Sequence, residues 1–307
     1  MNRTLLAHLA AAAAALSAGT SVVATRHLVG DIDPAALAFW RYLIGVGCFA
    51  PFLPRLWPSH RLNAGDLASI AALGVLFFVL FPWAFNASLQ FIPAARGAVG
   101  LATIPIQTLI VAVLFGREKL SGAKVLGVAL AFTGVALVFG PEAIGSGLSD
   151  TLLGDALMLL GVLCAAVYSV FSRASLARHG ALFVTAMAMS FAVVVLLPLS
   201  AVVAPGDLLP DLDIRGWLLV AFLGSFAGAV QFSLFTWALR WLPPSTTVLY
   251  ITLNSITAMA LGALLLGEAL RPPLIAGLAL VIAAILIGNG ALAHLWRKLR
   301  PAGTPAE

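Results

Sequence analysis

Apolar runs of about twenty residues recur along the whole chain, broken by short clusters of Pro, Gly, Asp and Arg. A run of that length spans the hydrocarbon core of a bilayer as a helix, and inside lipid the backbone must satisfy its own hydrogen bonds. The pattern therefore predicts an all-α membrane protein. The runs fall near residues 4–29, 34–53, 67–91, 94–115, 121–140, 151–173, 182–203, 216–239, 244–266 and 273–296, which gives ten transmembrane helices. Breaks such as Gly30-Asp31-Ile32-Asp33-Pro34, Ile92-Pro93 and Arg271-Pro272-Pro273 disfavour helix continuation. The first run follows Arg3 like a signal peptide, but its apolar character continues to Val29, too far for a signal core. Ten spans in 307 residues, of which 9% are charged, leave little chain for a soluble domain. Soluble enzyme classes, nucleic-acid readers and disulfide scaffolds are excluded on that ground. Cys48 and Cys164 each sit inside an apolar run without a metal-ligand spacing and read as packing residues.

Ten spans put both termini on one side, and charge chooses the side. Twelve basic residues, from Arg3 through Arg55, Arg61, Arg117, Lys119, Lys124, Arg173, Arg178 and Arg240 to Arg297, Lys298 and Arg300, share the terminal side. Four, Arg26, Arg96, Arg215 and Arg271, lie opposite with nine of the twelve acids. The positive-inside rule then places both termini in the cytoplasm of an inner (plasma) membrane. Removing one helix would scramble the asymmetry, which favours ten spans over nine or eleven.

A shift of 150 residues lays the middle of the chain on its end. It matches Phe85 with Phe235, Pro93 with Pro243, Ile106 with Ile256, Leu114 with Leu264, Glu118 with Glu268, Leu120 with Leu270 and Gly127 with Gly277, without a gap. The start of each half agrees more weakly at a slightly different shift, Leu16-Ser17-Ala18-Gly19 lying on Leu163-Cys164-Ala165-Ala166. The halves are residues 1–145 and 146–307, each with five spans. An odd number obliges the second copy to enter the membrane from the opposite side, so the repeats are inverted. Such repeats create two nearly equivalent halves around a site near the midplane, the architecture of alternating access. Duplicated bundles also form channels and membrane enzymes.

The aligned residues resemble the EamA family of the drug/metabolite transporter superfamily over nearly the whole chain. The family pattern is seen in Leu89-Gln90-Phe91-Ile92-Pro93-Ala94-Ala95, Pro105, Gly116-Arg117-Glu118-Lys119-Leu120 and Gly127, and again in Leu266-Gly267-Glu268-Ala269-Leu270 with Gly277. Ser255 stands where the first copy has Pro105, and Ala18-Gly19 replaces the usual Trp-Gly pair of the first helix. Phe39-Trp40-Arg41-Tyr42 resembles the second-helix pattern. Within the superfamily the chain is most similar to the YddG-type exporters of aromatic amino acids, which implies a transporter rather than an enzyme.

Polar side chains inside the spans mark the candidate site. Arg41 is read as the only basic residue well inside a span, at a cost of about 2.5–3.5 kcal/mol for a central arginine. Two readings stay open: it receives a substrate carboxylate or polarises a watery cavity, or it bonds the free carbonyls of a broken helix. Hydroxyl and amide groups concentrate in the first, third, fourth, sixth, eighth and ninth spans and are almost absent from the fifth and tenth, so one to four and six to nine are expected to surround the cavity while five and ten buttress or dimerise. Thr20, Ser21, Asn86, Gln107, Tyr168, Tyr250 and Asn254, with the aromatic Trp40, Tyr42 and Trp237, are the candidate substrate-binding residues beside Arg41. Individual Ser and Thr hydroxyls can equally bond their own helix. Trp57, Trp217, Trp241 and Trp296 read as interfacial anchors.

The expected partners are a small-molecule substrate and membrane lipid, with no nucleic acid, no cofactor and no metal, in a monomer or homodimer. An apolar pocket with a few polar groups suits an amino acid, aromatic or otherwise neutral, or a similar amphipathic metabolite; a broad drug exporter is the alternative. No acid sits at mid-span, Asp155 and His27 being near span ends, so flux down the substrate gradient is expected without a proton relay. A channel would need charge rings or a carbonyl filter. An enzyme would need a buried nucleophile-base pair or paired carboxylates, and no such motif is present.

Overall fold

The computed structural model describes residues 3–58, 62–117, 119, 121–145, 150–238 and 244–288. The described chain is helical: α1 (Arg3–Leu28), α2 (Pro34–Phe49), α3 (Leu53–Leu56), α4 (Ala64–Val75), α5 (Phe81–Phe91), α6 (Ala94–Ala102), α7 (Ile104–Leu114), α8 (Gly122–Gly145), α9 (Asp150–Phe171), α10 (Arg173–His179), α11 (Ala181–Val203), α12 (Ile214–Gly224), α13 (Gln231–Ala238), α14 (Pro244–Leu266) and α15 (Pro272–Gly288). Among the described residues seven helical stretches are long and apolar enough to cross a membrane: Thr4–Leu28, Pro34–Leu56, Ala64–Phe91, Ala94–Leu114, Asp150–Phe171, Ala181–Val203 and Ile214–Phe235. Shorter apolar helices, Gly122–Val138, Leu253–Leu266 and Pro272–Ile287, fall in the fifth, ninth and tenth expected runs. The chain is a multi-pass membrane protein. Arg240, Trp241, Trp296 and the basic residues after it lie outside the described residues.

Local chemistry sets the boundaries. Asp33 caps α2, accepting from Ala35 N at 2.7 Å, with Pro34 as the first helical residue. Asn63 and Asp66 form a reciprocal capping box at the start of α4, and Asp213 caps α12 through Gly216 N at 2.7 Å. The fourth expected span is two helices, α6 and α7, which meet at Thr103 just ahead of Pro105. The second run, expected to end at residue 53, continues to Leu56 and stops ahead of Pro58. A 3-10 turn, Ala50–Phe52, carries α2 into α3, because Pro54 occupies the first turn of α3, where no N–H is needed.

Two π-helical segments interrupt the bundle, Leu76–Leu80 between α4 and α5 and Ser225–Val230 between α12 and α13. The second overlies the first at the same 150-residue shift. The turn before each segment makes a matching close contact. An added Cβ at Gly74 would lie 2.8 Å from the Ala188 carbonyl oxygen of α11, and one at Gly224 would lie 2.7 Å from the Arg41 carbonyl oxygen of α2. Gly74 and Gly224 are 150 residues apart, and their partners 147. Helix α8 packs on α15 where Gly134 and Gly277 face each other, each added Cβ falling 2.8 Å from the other's carbonyl oxygen. Small residues let helix backbones approach where lipid gives no hydrophobic drive.

Candidate substrate cavity

A cavity of about 630 Å³ lies among helices of both halves. Its walls come from α1, α2, the first π segment with α5, the α6–α7 junction, α9, α10, α11, α13 and α14, whereas α8 and α15 contribute nothing to it. The cavity reaches Ala11 on α1, Gly180 and Ala181 at the α10–α11 corner, Phe235 on α13 and Tyr250 on α14, all toward the end where α1 begins. At the opposite end α1, α6, α9 and α14 are joined by contacts among Arg26, Ala94, Arg96, Asp155 and Glu268.

Arg41 stands on the cavity wall, 9% exposed. Its Nη2 donates to the Ala227 carbonyl in the second π segment at 3.2 Å, while Nε is buried without a hydrogen-bond partner. One nitrogen of this arginine thus ties α2 to a distorted helix, and another is left over beside the cavity. The second half has nothing equivalent, since the position that makes the matching glycine contact is Ala188. Gln231 and Asn254 also line the cavity, and Gln231 Oε1 and Asn254 Oδ1 are buried without a partner. Between these polar groups lies an aromatic wall. Phe77 stacks on Tyr168 with centroids 4.3 Å apart and on Phe81 at 5.3 Å, and Phe232 and Phe85 extend the surface.

Of the candidate residues, Ser21, Arg41, Tyr42, Tyr168, Tyr250 and Asn254 meet on this cavity. Ser21 returns its hydroxyl to the Ala18 carbonyl at 2.7 Å, and Tyr250 Oη pairs with His8 Nδ1 at 2.8 Å. The other candidates lie elsewhere. Trp40 turns outward, donating Nε1 to the Leu208 carbonyl at 3.0 Å and meeting Trp217 edge to face. Asn86 is buried behind the wall, donating to the Pro34 carbonyl at 3.1 Å. Thr20 bonds the Ser17 carbonyl of its own helix at 2.8 Å. Gln107 lines a separate apolar recess of about 240 Å³ with Phe132 and Leu159, and Trp237 is 37% exposed and off the cavity. Gln231 belongs to the wall although only its polarity marked it in the sequence, and Phe77, Phe81 and Phe232 gave no polar signal at all.

The closed end holds a buried ion pair that the sequence did not show. Arg96, expected at a span edge, is a second buried arginine, 8% exposed, and Asp155 is 2% exposed. They form a bidentate pair, Arg96 Nε donating to Asp155 Oδ1 at 2.7 Å and Nη2 to Oδ2 at 2.5 Å. A guanidinium-carboxylate fork neutralises both charges and fixes their geometry, so Asp155 is held in a structural pair across the two halves.

Residues 5–140 and again 152–289 match the EamA-like transporter family, and the chain belongs to that family. It is 25% identical over 271 residues to an uncharacterized transporter of Archaeoglobus fulgidus, covering 88% of this chain and 93% of the other. It is 28% identical over 271 residues to the uncharacterized inner membrane transporter YedA of Escherichia coli, covering 88% and 86%. A probable terminal-alkyne amino-acid exporter of Streptantibioticus cattleyicolor is 25% identical over 248 residues, covering 81% and 80%. A solved crystal structure shares the fold with a TM-score of 0.61 at 21% identity, covering 96% of this chain and 99% of that one. This membrane protein is therefore a transporter of the EamA family.

Proposed function

We propose that the protein exports amino acids, aromatic or otherwise neutral, or similar small amphipathic metabolites across the inner membrane by alternating access. Ten spans in two inverted five-helix repeats, both termini cytoplasmic, would carry the motion. The reading is supported by direction: α1 starts at the cavity end and finishes at Arg26 on the closed end, whereas α9 starts at the closed end with Asp155 and runs to Ser169 on the cavity. The paired π segments and glycine contacts support the repeat.

The observation that carries the substrate class is the set of unpartnered buried atoms around one cavity. Arg41 Nε is a charged donor; Gln231 Oε1 and Asn254 Oδ1 are acceptors. Buried polar atoms left unbonded cost about 1–3 kcal/mol each. A zwitterion answers both kinds, with its carboxylate toward Arg41 and its ammonium toward the amide oxygens. The rings of Phe77, Phe81, Tyr168 and Phe232 then face its side chain. The cavity volume falls within the range of small-molecule sites. The relative described as a probable terminal-alkyne amino-acid exporter fits the same class.

Counterflow in proteoliposomes tests the reading. Labelled neutral amino acids should exchange saturably, driven by their own gradient and unaffected by a protonophore. The amide and the N-acetyl derivative of the best substrate should each compete poorly, because one lacks the carboxylate and the other the ammonium. Equal competition by all three would point to the broad drug exporter, and uphill accumulation in an imposed pH gradient would overturn uncoupled flux.

A further inference from the structure

Helix α14 ends in the Leu-Gly-Glu sequence, and the geometry explains its order. Gly267 takes φ +66°, which a glycine adopts freely, and so turns the Glu268 N–H back to the Gly262 carbonyl at 3.2 Å. The carboxylate then lands on the N-terminus of α6 in the other half, accepting from Ala94 N at 2.8 Å through Oε1 and from Ala95 N at 2.9 Å through Oε2. Those N–H groups have no acceptor within their own helix, and the helix dipole adds its positive end. Gly262 supplies the room, since a Cβ there would lie 2.8 Å from Glu268 Oε2. Arg26 closes the contact from α1, with Nε 4.0 Å from Glu268 Oε1 and Nη1 donating to the Leu89 and Gln90 carbonyls at the end of α5.

Glu268 therefore sits where α14 and α6 converge, while the same helices part at their other ends to admit the cavity between Leu101, Ile104, Tyr250 and Asn254. We propose that Glu268 on the N-terminus of α6 is a latch between the halves, which holds this end shut in the conformation described and must release when the cavity opens toward it. This rests on the alternating-access reading above.

The repeat makes the latch one-sided. At the 150-residue shift Ala94 corresponds to Pro244, which has no N–H to donate and leaves Ser245 as one donor where Glu268 has two, and Gly262 corresponds to Ala112, which carries the Cβ that at Gly262 would crowd the carboxylate. The two-donor contact of Glu268 thus has no full counterpart in the sequence of the opposite end. The protein should rest with its cavity facing the end where α1 begins.

Side-specific thiol labelling tests this without any substrate. In a version with Cys48→Ala and Cys164→Ala, Ala18→Cys on the cavity wall is the reporter, labelled by a membrane-impermeant maleimide in intact cells and in inverted vesicles. Glu268→Gln keeps the size, loses the charge and leaves one carbonyl oxygen for two donors. It should raise labelling from the Glu268 side about fivefold relative to the other side, the size of a weakened helix cap. Gly262→Ala should do the same by pushing the carboxylate away, although Glu268 itself is intact. Unchanged side preference in both variants, with normal thermal unfolding in detergent, would overturn the latch. So would loss of folding in both, which would make Glu268 a folding residue. Either result can be scored whether or not amino acids prove to be the cargo.

Discussion

The two ends of the bundle treat their buried charged groups in opposite ways. At the closed end the charges are mutually satisfied: Arg96 forks onto Asp155, and Glu268 takes two backbone N–H groups of α6 with Arg26 beside it. At the cavity end, Arg41 Nε, Gln231 Oε1 and Asn254 Oδ1 have no partner among the described residues. The difference teaches what each end is for, because a fold that pairs its buried charges at one end has no physical obstacle to doing so at the other. On the proposed reading, pairing seals one end, and the groups left unpaired at the other prepare a place for the substrate.

The comparison breaks entirely if the ends do not face opposite sides of the membrane. Ser121→Cys, before α8, and Pro272→Cys, at the start of α15, should label from opposite sides in intact cells when the native cysteines are removed. Equal labelling from outside would end the inverted arrangement. The next largest effect is expected at the closed end. Asp155→Asn removes the charge that neutralises the buried Arg96 guanidinium and should cost about 3–5 kcal/mol, read as a large drop in unfolding temperature. Replacing both members by apolar residues, Arg96→Met with Asp155→Leu, should recover most of it. If the single variant is as stable as the parent, the pair does not seal that end.

Arg41→Ala probes the cavity end and should read out in flux more than in stability. A hydrogen bond to a charged group contributes about 1.5–3 kcal/mol, so transport should fall roughly 10- to 100-fold. Losing the single contact to Ala227 should lower the unfolding temperature by only a few degrees. Arg41→Lys should recover part of the flux, since it keeps the charge and loses the planar fork. Full transport by a well-folded alanine variant would remove Arg41 from the site. The smallest effects should come from the candidates off the cavity: Trp237→Ala and Gln107→Ala should hold flux within about twofold in the same assay. A loss comparable to that of Arg41→Ala at either position would mean that the cavity described is not the transport path.

These assignments divide along a physical line. The positions of the apolar helices were legible because membrane transfer is a sum over local residues, and Asp33, Asn63 and Asp213 sit at helix starts for local reasons. The direction in which a side chain points was not legible. A π turn adds a residue to the helical repeat and rotates everything beyond it. Phe81, Gln231 and Phe232, which follow the two π segments, therefore reach the wall in a phase that a regular helix would not give them. Trp40 adjoins Arg41 in the chain, yet successive helical residues diverge by about 100°, and one faces Trp217 while the other faces the cavity.

The sequence by itself determined that the chain lies in the membrane, that its last part echoes its middle at a fixed shift, that Arg41 is unusual inside a span and that Leu266-Gly267-Glu268 follows a family pattern. Only the tertiary structure decided that Arg96 is buried against Asp155, that Glu268 reaches α6 and that Gln231 shares a cavity with Arg41. Hydropathy and repetition are properties of neighbouring residues and survive being read along a line. Charge pairing joins residues 59 and 174 positions apart, and which of them meet is fixed only when helices pack and rotate against one another.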